Sequence, residues 1–487
     1  MKKAWLNFLA ILLCVLIPFI LIASLGFFIP PQFDLSFLGE LKYKVDRLYS
    51  IDEPKIVIVG GSSVPFGVDS ALMEEMVGMP VVNFGLYATL GTKMMLDLSL
   101  GALKKGDVVV IAPETDPQTY SLYFNAEAAW QAADSDFSIL TKMSPDDYPE
   151  MLGGFWKYTY QKAKYATAGE HLDPAGIYNR ASFNEYGDIS YERPYNVMTL
   201  GYDPKMTVRF SPDIISPDFI DYVNEYTKKA EKKGATVYFS FSPVNEDGID
   251  ESTTLGTLKE FTSFIDENFT AKRISDPNGF IYRSGYFYDS NFHMNDAGMT
   301  LHTITLAKDI ASALGREILK DIDTPPVPEK PDEPTVPLDE FDENEKYFTF
   351  SEMIVGGKLV GYKIVGTTDA GKAERTLNTP TVYNKTPVIM IGEGAFEGCE
   401  NLEEITISRS VRELENGAFS GAPKLTKIHI LEPNPELLTV DCFVDDPRDG
   451  LCRGMSDKAR FYVPAEAVND YQLGYFWAKY RDYIVSE

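Results

Sequence analysis

A 23-residue internal repeat near the carboxyl terminus constrains the fold more than any other feature of the chain. Segments 391–407 and 414–430 share an Ala-Phe pair, a leucine and an Ile-x-Ile pair at matching positions. Each unit supplies one short strand and one turn-like face, and it cannot bury its apolar side without a neighbouring unit. The repeat therefore predicts a short β-rich solenoid within residues 346–487, a range that includes a β-rich cap before the repeats and an aromatic cap after them.

Strand and helix signals alternate along residues 51–314. Such alternation is typical of a parallel sheet flanked by helices, so we expect a three-layer α/β/α domain over residues 51–320. Residues 117–205 are aromatic and irregular, and we expect them to form an inserted lid or side wall over the carboxyl edge of the sheet. The predicted strands lie at 57–59, 79–85, 108–112 and 235–241.

A Gly-Gly-Ser-Ser turn at residues 60–63 follows the first predicted strand and precedes a helix-like segment at 69–76. A hydroxyl on such a strand-to-helix turn lies at the carboxyl edge of the sheet, beside backbone N–H groups. A serine nucleophile and its oxyanion donors need that position. The alternative interpretation is a tight turn whose serines cap the following helix.

Partners for a reactive serine lie before the last helix of the same domain. Of the four histidines, only His293 has a carboxylate close by within a loop that contains glycine and asparagine, and Asp289 lies four residues before it. In a hydrolytic triad, His293 would take the serine proton, and Asp289 would orient the imidazole and stabilise its cation. The alternative is a structural histidine. An early serine with a late Asp and His favours the catalytic interpretation.

The amino terminus carries Lys2 and Lys3 before a long apolar stretch that reaches about residue 29. A bilayer span needs about 20 apolar residues, so we predict a transmembrane helix within residues 1–30, followed by a juxtamembrane segment at 31–50. The lysines favour the cytoplasmic side, which places the bulk of the chain outside the cell as a single-pass membrane protein. A cleaved signal peptide is the alternative.

The net charge of −27 argues against nucleic acid as a partner, because the phosphate backbone attracts basic surfaces. Three cysteines outside the apolar stretch cannot form a disulfide framework. Cys442 and Cys452 could bridge a short loop, whereas Cys399 is interpreted as a small buried residue. The Cys/His spacing suggests no zinc site, and we expect neither a metal nor an organic cofactor.

Residues 321–345 hold six prolines among acidic residues and predict an extended linker.

The repeat unit, with its Ala-Phe and Cys-x-x-Leu positions, resembles the BspA-type leucine-rich repeats of bacterial surface proteins over residues 385–485. The terminal Tyr-Val-Pro at 462–464, with Trp477, Tyr480 and Ile484, is similar to the end of such arrays. The resemblance implies surface display and the binding of a protein or glycan.

Residues 51–315 resemble the SGNH hydrolase superfamily, particularly its extracellular DltD-like and alginate-acetylation-like acyltransfer branch. The family's Gly-Asp-Ser-x-x-x-Gly block matches residues 61–67, which implies Ser63 as the nucleophile. The second block is matched by residues 83–85 and implies Asn83 and Gly85 near the oxyanion, with the Gly85 N–H as a donor. The last block, Asp-x-x-His, is matched by Asp289 and His293 with one extra residue between them.

The third block of the family, Gly-x-Asn-Asp, would fall near residues 113–116, where the asparagine is absent. Losing one such oxyanion donor costs about 3–4 kcal/mol of transition-state stabilisation, or roughly 100- to 1000-fold in rate. Thr115 could donate a hydroxyl in its place.

These features together predict a membrane-anchored extracellular serine esterase or O-acyltransferase that acts on acyl esters, such as acetyl esters, of cell-envelope or exported carbohydrate. The N–H groups of Ser63 and Gly85 would hold the oxyanion. The alternative is a non-catalytic surface adhesin that binds through its repeats. Aromatic side chains of the insertion could stack on sugar rings or pack within the insertion; these are Trp130, Trp156, Tyr158 and Tyr160.

Overall fold

The computed structural model describes residues 5, 14, 17, 20, 23–169, 171–174, 176–330, 342–355, 358–440, 447–474 and 476–487. The chain divides into two compact units: a first unit of residues 1–173 and 178–330, and a second unit of residues 174–177 and 331–487. Most of the predicted membrane span and part of the predicted linker lie outside the described residues. Within the described part of the chain, no helix combines the length and the apolar character needed to cross a membrane.

The first unit is built on a parallel sheet of five strands in the order β2-β1-β3-β4-β6. The predicted parallel sheet is thus confirmed, and each predicted strand overlaps one of its members. A separate pair, β5 and β7, is also parallel. The strands are β1 (Ile56–Gly60), β2 (Val81–Gly85), β3 (Val108–Ile111), β4 (Thr236–Phe239), β5 (Val244–Asn245), β6 (Lys272–Arg273) and β7 (Ile281–Tyr282).

Helices alternate with these strands along the chain. The helix after β1 is short, whereas the last one, which follows the histidine-bearing loop, is long. Among the described residues, the helices of the first unit include α1 (Leu41–Ser50), α2 (Ser63–Gly67), α3 (Ser70–Val77), α4 (Thr92–Leu100), α5 (Ala126–Ala132), α6 (Tyr148–Ala168), α7 (Pro217–Lys232), α8 (Leu255–Asn268) and α9 (Asp296–Ala313).

Strand β1 is an inner strand of the five-stranded sheet. It pairs with β2 on one side and with β3 on the other, and all residues of these three strands are buried. Burial on both faces explains why the strands appear in the sequence as continuous apolar runs rather than as alternating patterns. The chain reverses its direction of sheet growth between β1 and β3, and in such sheets ligands bind at the carboxyl ends of the strands beside that point.

The predicted insertion contains α5 and α6, whose aromatic side chains pack against each other. Trp130 donates its indole N–H to the carbonyl of Met151 over 2.7 Å and stacks on Tyr158 at a centroid distance of 5.7 Å. Trp130 and Tyr158 are buried, so they pack within the insertion. Trp156 and Tyr160 are exposed on α6.

The second unit is a stack of short strands in two sheets. One sheet has the parallel order β10-β13-β15-β17-β18. The other has the order β16-β14-β12-β9-β8, in which β8 and β9 pair antiparallel, and β11 also pairs antiparallel with β12. The elements are β8 (Phe348–Val355), β9 (Lys358–Thr367), α10 (Asp369–Ala373), β10 (Thr376–Asn378), β11 (Val382–Tyr383), β12 (Thr386–Ile391), β13 (Glu404–Ile407), β14 (Glu413–Leu414), β15 (Lys427–Ile430), β16 (Thr439–Val440), β17 (Arg460–Val463), α11 (Val468–Leu473) and β18 (Ile484–Ser486).

The 23-residue period sets the register of this stack. Ile405 of β13 lies opposite Ile428 of β15, and the rings of Phe396 and Phe419 stack at 5.6 Å and 9°. These side chains are fully buried, as is Cys399, in agreement with its predicted place in the core. Cys442 lies outside the described residues, so its possible bridge to Cys452 is not described.

A fully buried ion pair links the residues that directly precede two strands of the first unit. Lys55 precedes β1 and Asp107 precedes β3, with 3.0 Å between the ammonium and carboxylate atoms and no exposure of either side chain. Asp107 also accepts the backbone N–H groups of Lys55 and Lys104, at 3.1 and 2.8 Å. The carboxylate therefore organises the amino edge of the sheet.

We expect Asp107→Ala to lower the free energy of unfolding by about 3–5 kcal/mol, because it leaves the Lys55 ammonium buried without its partner. Chemical denaturation of the full chain measures the change. Asp52→Ala is the matched control, since it removes an exposed carboxylate that pairs with Lys104 and should leave the transition midpoint unchanged. Equal effects of the two substitutions would contradict the assigned role of Asp107.

Candidate functional site

Ser62 lies two residues beyond the end of β1, at the amino end of α2. It occupies the N-cap position of α2, but its side chain makes no capping hydrogen bond. The interpretation of the turn as a helix cap therefore does not apply to Ser62, and its hydroxyl is available for other contacts.

The Ser62 hydroxyl belongs to a continuous hydrogen-bonded relay. Its Oγ lies 2.8 Å from Nε2 of His293, and Nδ1 of His293 lies 2.7 Å from Oδ1 of Asp289. With the Nδ1 proton donated to the carboxylate, Nε2 is left to accept the proton of the Ser62 hydroxyl. The distances lie within the range in which a base activates a hydroxyl nucleophile.

The imidazole of His293 is held on several sides. Its ring stacks on Phe66 of α2 with 3.9 Å between centroids and 12° between planes. Its backbone N–H donates to Ser290 Oγ at 3.2 Å, and its carbonyl accepts the Tyr288 N–H at 2.8 Å. The relay side chains of His293 and Asp289 are 7% and 4% exposed. Burial and stacking thus restrict the ring to the orientation that reaches Ser62.

Tyr178 contacts the far end of the relay. Its hydroxyl donates to Oδ2 of Asp289 over 2.8 Å and lies 3.4 Å from Nδ1 of His293. The Asp289 carboxylate therefore has both oxygens engaged, one by the imidazole and one by the phenol. Sequence reasoning did not identify Tyr178, which lies more than a hundred residues from the loop that it supports.

The structure brings Ser62, and not the predicted Ser63, to His293. Ser63 is the first residue of α2; it is fully buried, and its hydroxyl has no hydrogen-bond partner among the described residues. The extra residue between Asp289 and His293 does not separate them, because the loop folds back on itself through the Tyr288 to His293 hydrogen bond. The sequence does contain a signal for Ser62, because the glycine pair at 60–61 directly precedes it.

Glu114 is a site residue that sequence reasoning missed. It follows β3, and its Oε1 lies 2.8 Å from the Ser63 backbone N and 3.2 Å from Ser62 Oγ. Gly61 makes room for it, since a Cβ at that position would lie 2.7 Å from Glu114 Oε1. The available signal was a polar residue three positions after the end of the strand that neighbours β1.

Gly85 and Asn83 lie on β2 beside the turn. A Cβ at Gly85 would lie 2.4 Å from Val64 Cβ and 2.6 Å from the carbonyl oxygen of Gly61, so the close approach of β2 to the turn requires glycine. The Gly85 N–H, predicted to be an oxyanion donor, is directed to Asn83 Oδ1 at 3.4 Å.

The Asn83 side chain belongs to a buried polar network behind the turn. Its amide donates to Asp188 over 2.8 Å and to the Val64 carbonyl over 3.3 Å, and its Oδ1 accepts from the Lys44 ammonium at 3.3 Å. Burial lowers the pKa of Lys44 to about 8 and raises the pKa of Asp188. The structure thus gives Asn83 contacts that support the turn.

Thr115 is buried beside Glu114, and its hydroxyl neighbours the phenol of Tyr120. Burial raises the pKa of Tyr120. Among the described residues, Thr115 makes no hydrogen bond to Ser62. No group of three or more His, Cys, Asp or Glu side chains with the placement of a metal site occurs in the described part of the chain.

Comparison with known proteins identifies part of the second unit. A family model described as "BspA type Leucine rich repeat region (6 copies)" matches residues 374–445, which include β10, β13 and β15. These residues are therefore a BspA-type leucine-rich repeat region, and the repeat predicted from the sequence is confirmed there.

Among solved structures, the chain is similar to the crystal structure of a T. pallidum leucine-rich repeat protein (TpLRR) at 18% sequence identity and a TM-score of 0.17. The match covers 27% of this chain and 56% of that chain, so it spans little more than half the length of the solved protein. No curated protein matches the chain.

We expect Asn83→Ala to lower the free energy of unfolding by about 1–3 kcal/mol, because it removes a buried hydrogen-bond partner of Asp188. Thermal or chemical denaturation measures the change. Asn278→Ala is the control, since Asn278 is exposed in a surface turn. Unchanged stability in Asn83→Ala would show that the network does not support the turn.

Proposed function

We propose that the protein is a serine esterase or O-acyltransferase of the SGNH type, with Ser62 as its nucleophile. The observation that carries this proposal is the relay from Asp289 through His293 to Ser62, with contacts of 2.7 and 2.8 Å. A histidine with a purely structural role has no need of a carboxylate on one ring nitrogen and a serine at the sheet edge on the other. This arrangement matches the demands of acyl transfer.

The reaction would proceed in two displacements. Ser62 Oγ bonds to the acyl carbon of an ester while its proton passes to His293 Nε2, and the carbonyl oxygen becomes an oxyanion. Asp289 stabilises the imidazolium. Collapse of the intermediate breaks the ester C–O bond, and Nε2 returns the proton to the departing alcohol. Water or a sugar hydroxyl then attacks the acyl-serine with the same base and restores free Ser62.

The site chemistry does not specify which acyl ester is the substrate. The sequence resemblance narrows the choice of substrate. The acyltransfer branch that residues 51–315 resemble supports an acyl ester, such as acetyl, of cell-envelope or exported carbohydrate. The apolar amino-terminal stretch supports a membrane anchor with the bulk of the chain outside the cell. The leucine-rich repeats at 374–445 support a role in binding a protein or glycan at that surface.

We expect the full chain to react with a fluorophosphonate probe at Ser62. Ser62→Ala should abolish labelling, whereas Ser63→Ala should retain it, because only Ser62 contacts the base. Mass spectrometry of the labelled peptide identifies the modified serine. Labelling at Ser63, or labelling that survives Ser62→Ala, would overturn the assignment.

We expect Asp289→Asn to reduce hydrolysis of an aryl acetate by roughly 100- to 10,000-fold, because an amide favours the wrong tautomer of His293. Initial rates over a range of ester concentrations measure the effect. Asp218→Asn is the matched control, since it makes the same change at an exposed position on α7. Equal rates for Asp289→Asn and the unmodified protein would remove Asp289 from the mechanism.

A binding protein is the second candidate, and the repeat region at 374–445 favours it. In that case the first unit only spaces or supports the repeats. A folded full chain that neither reacts with the probe nor hydrolyses an acetyl ester would favour the binding role over the enzyme.

A further inference from the structure

A carboxylate oxygen occupies the position that an oxyanion at Ser62 would need. Glu114 Oε1 accepts the Ser63 N–H over 2.8 Å and lies 3.2 Å from Ser62 Oγ. The side chain is buried with only 5% exposure. The N–H of the residue after a nucleophilic serine is a recurring oxyanion donor in hydrolases with a strand-to-helix turn. In this structure that donor is already bound to a negative group of the protein.

The second predicted donor is also engaged. The Gly85 N–H is directed to Asn83 Oδ1, so two N–H groups assigned to the oxyanion from the sequence have side-chain acceptors. An oxyanion gains its stabilisation from donors about 2.7–3.1 Å away, and the carboxylate fills that range at Ser63. A substrate carbonyl oxygen and the Glu114 oxygen cannot occupy the same place, and their charges repel as the oxyanion forms.

The distances also distinguish two roles for Glu114, which are to accept the Ser63 N–H and to orient the Ser62 hydroxyl. The nearest partner of Ser62 Oγ is His293 Nε2 at 2.8 Å, so the imidazole sets the direction of the hydroxyl proton. The shorter contact of Glu114 is to the backbone N–H of Ser63 and not to the hydroxyl. Glu114 thus satisfies a backbone donor more closely than it orients the nucleophile.

We propose that Glu114 closes the Ser62 site at rest by occupying its oxyanion position, and that acylation begins only when this carboxylate leaves the Ser63 N–H. This inference rests on the proposed function of Ser62. Gly61 is required for this closure, because a glycine at residue 61 leaves the space that the Glu114 carboxylate occupies. The rate of acylation is therefore controlled by the position of one side chain.

Phosphonylation kinetics test the proposal, because the phosphonyl oxygen of a fluorophosphonate must take the oxyanion position. The second-order rate constant for labelling of Ser62 is measured in the full chain and in three variants. Glu114→Ala removes the carboxylate, and Glu114→Gln retains the shape without the charge. Gly61→Ala keeps Glu114 but pushes its carboxylate away, since the new Cβ meets only that flexible group within 3.0 Å.

We expect Glu114→Ala and Gly61→Ala to label at least about tenfold faster than the unmodified protein, because each frees an oxyanion donor worth about 100- to 1000-fold in rate. Glu114→Gln should fall between the unmodified protein and Glu114→Ala, since its carboxamide oxygen still accepts the Ser63 N–H. Glu53→Ala is the matched control at an exposed position before β1, and it should label at the unmodified rate. Circular dichroism verifies that each variant is folded.

The outcomes separate this inference from the function on which it rests. If the unmodified protein labels at Ser62 while Glu114→Ala and Gly61→Ala label no faster, the closure of the site is refuted and the serine hydrolase remains. Labelling that is at least about tenfold faster in both Glu114→Ala and Gly61→Ala than in the unmodified protein supports closure. If no folded form labels, both the closure and the proposed catalytic function fail.

Discussion

The pairing of β1 with β2 on one side and β3 on the other is the constraint on which the site depends. Parallel strands end at the same edge of a sheet, so the residues that follow Gly60 and Ile111 meet there, beside the end of β2. The buried register brings Glu114 to the turn that carries Ser62 and places Gly85 against Gly61. Without this pairing, the serine, the carboxylate and the glycine would share no common location.

The Asp289–His293 relay and the Glu114 carboxylate would have opposite effects on attack by the Ser62 hydroxyl. His293 offers an acceptor for the Ser62 proton and so favours attack on an acyl carbon. Glu114 holds the adjacent N–H that would stabilise the product of that attack. The stretch after β3 thus places an acceptor, the Glu114 carboxylate, on the N–H of Ser63. The geometry thus places the His293 Nε2 atom 2.8 Å from Ser62 Oγ and a carboxylate oxygen 2.8 Å from the Ser63 N.

The repeat region of the second unit is built from one repeated pattern of strand pairing. The repeat strands β13 and β15 pair in parallel at the 23-residue period, so identical positions of successive units lie side by side, as Ile405 and Ile428 do. Stacked phenylalanines and small residues such as Cys399 fill the space between the strands. Each unit has its apolar side covered by the next, which is why a repeat visible in the sequence is sufficient to predict a solenoid.

The amino-acid sequence alone determined the parallel sheet, the repeat region and the pairing of His293 with Asp289, because each depends on local composition or on short spacing. It pointed to the Gly-Gly-Ser-Ser turn but chose Ser63, since a motif alignment counts residues and does not show which way two adjacent side chains point at a turn. Tertiary structure alone decided that Ser62 reaches His293, that Tyr178 contacts Asp289, and that Glu114 accepts the Ser63 N–H. These contacts join residues 51 to 231 positions apart, and only the folded sheet edge brings them within hydrogen-bond distance.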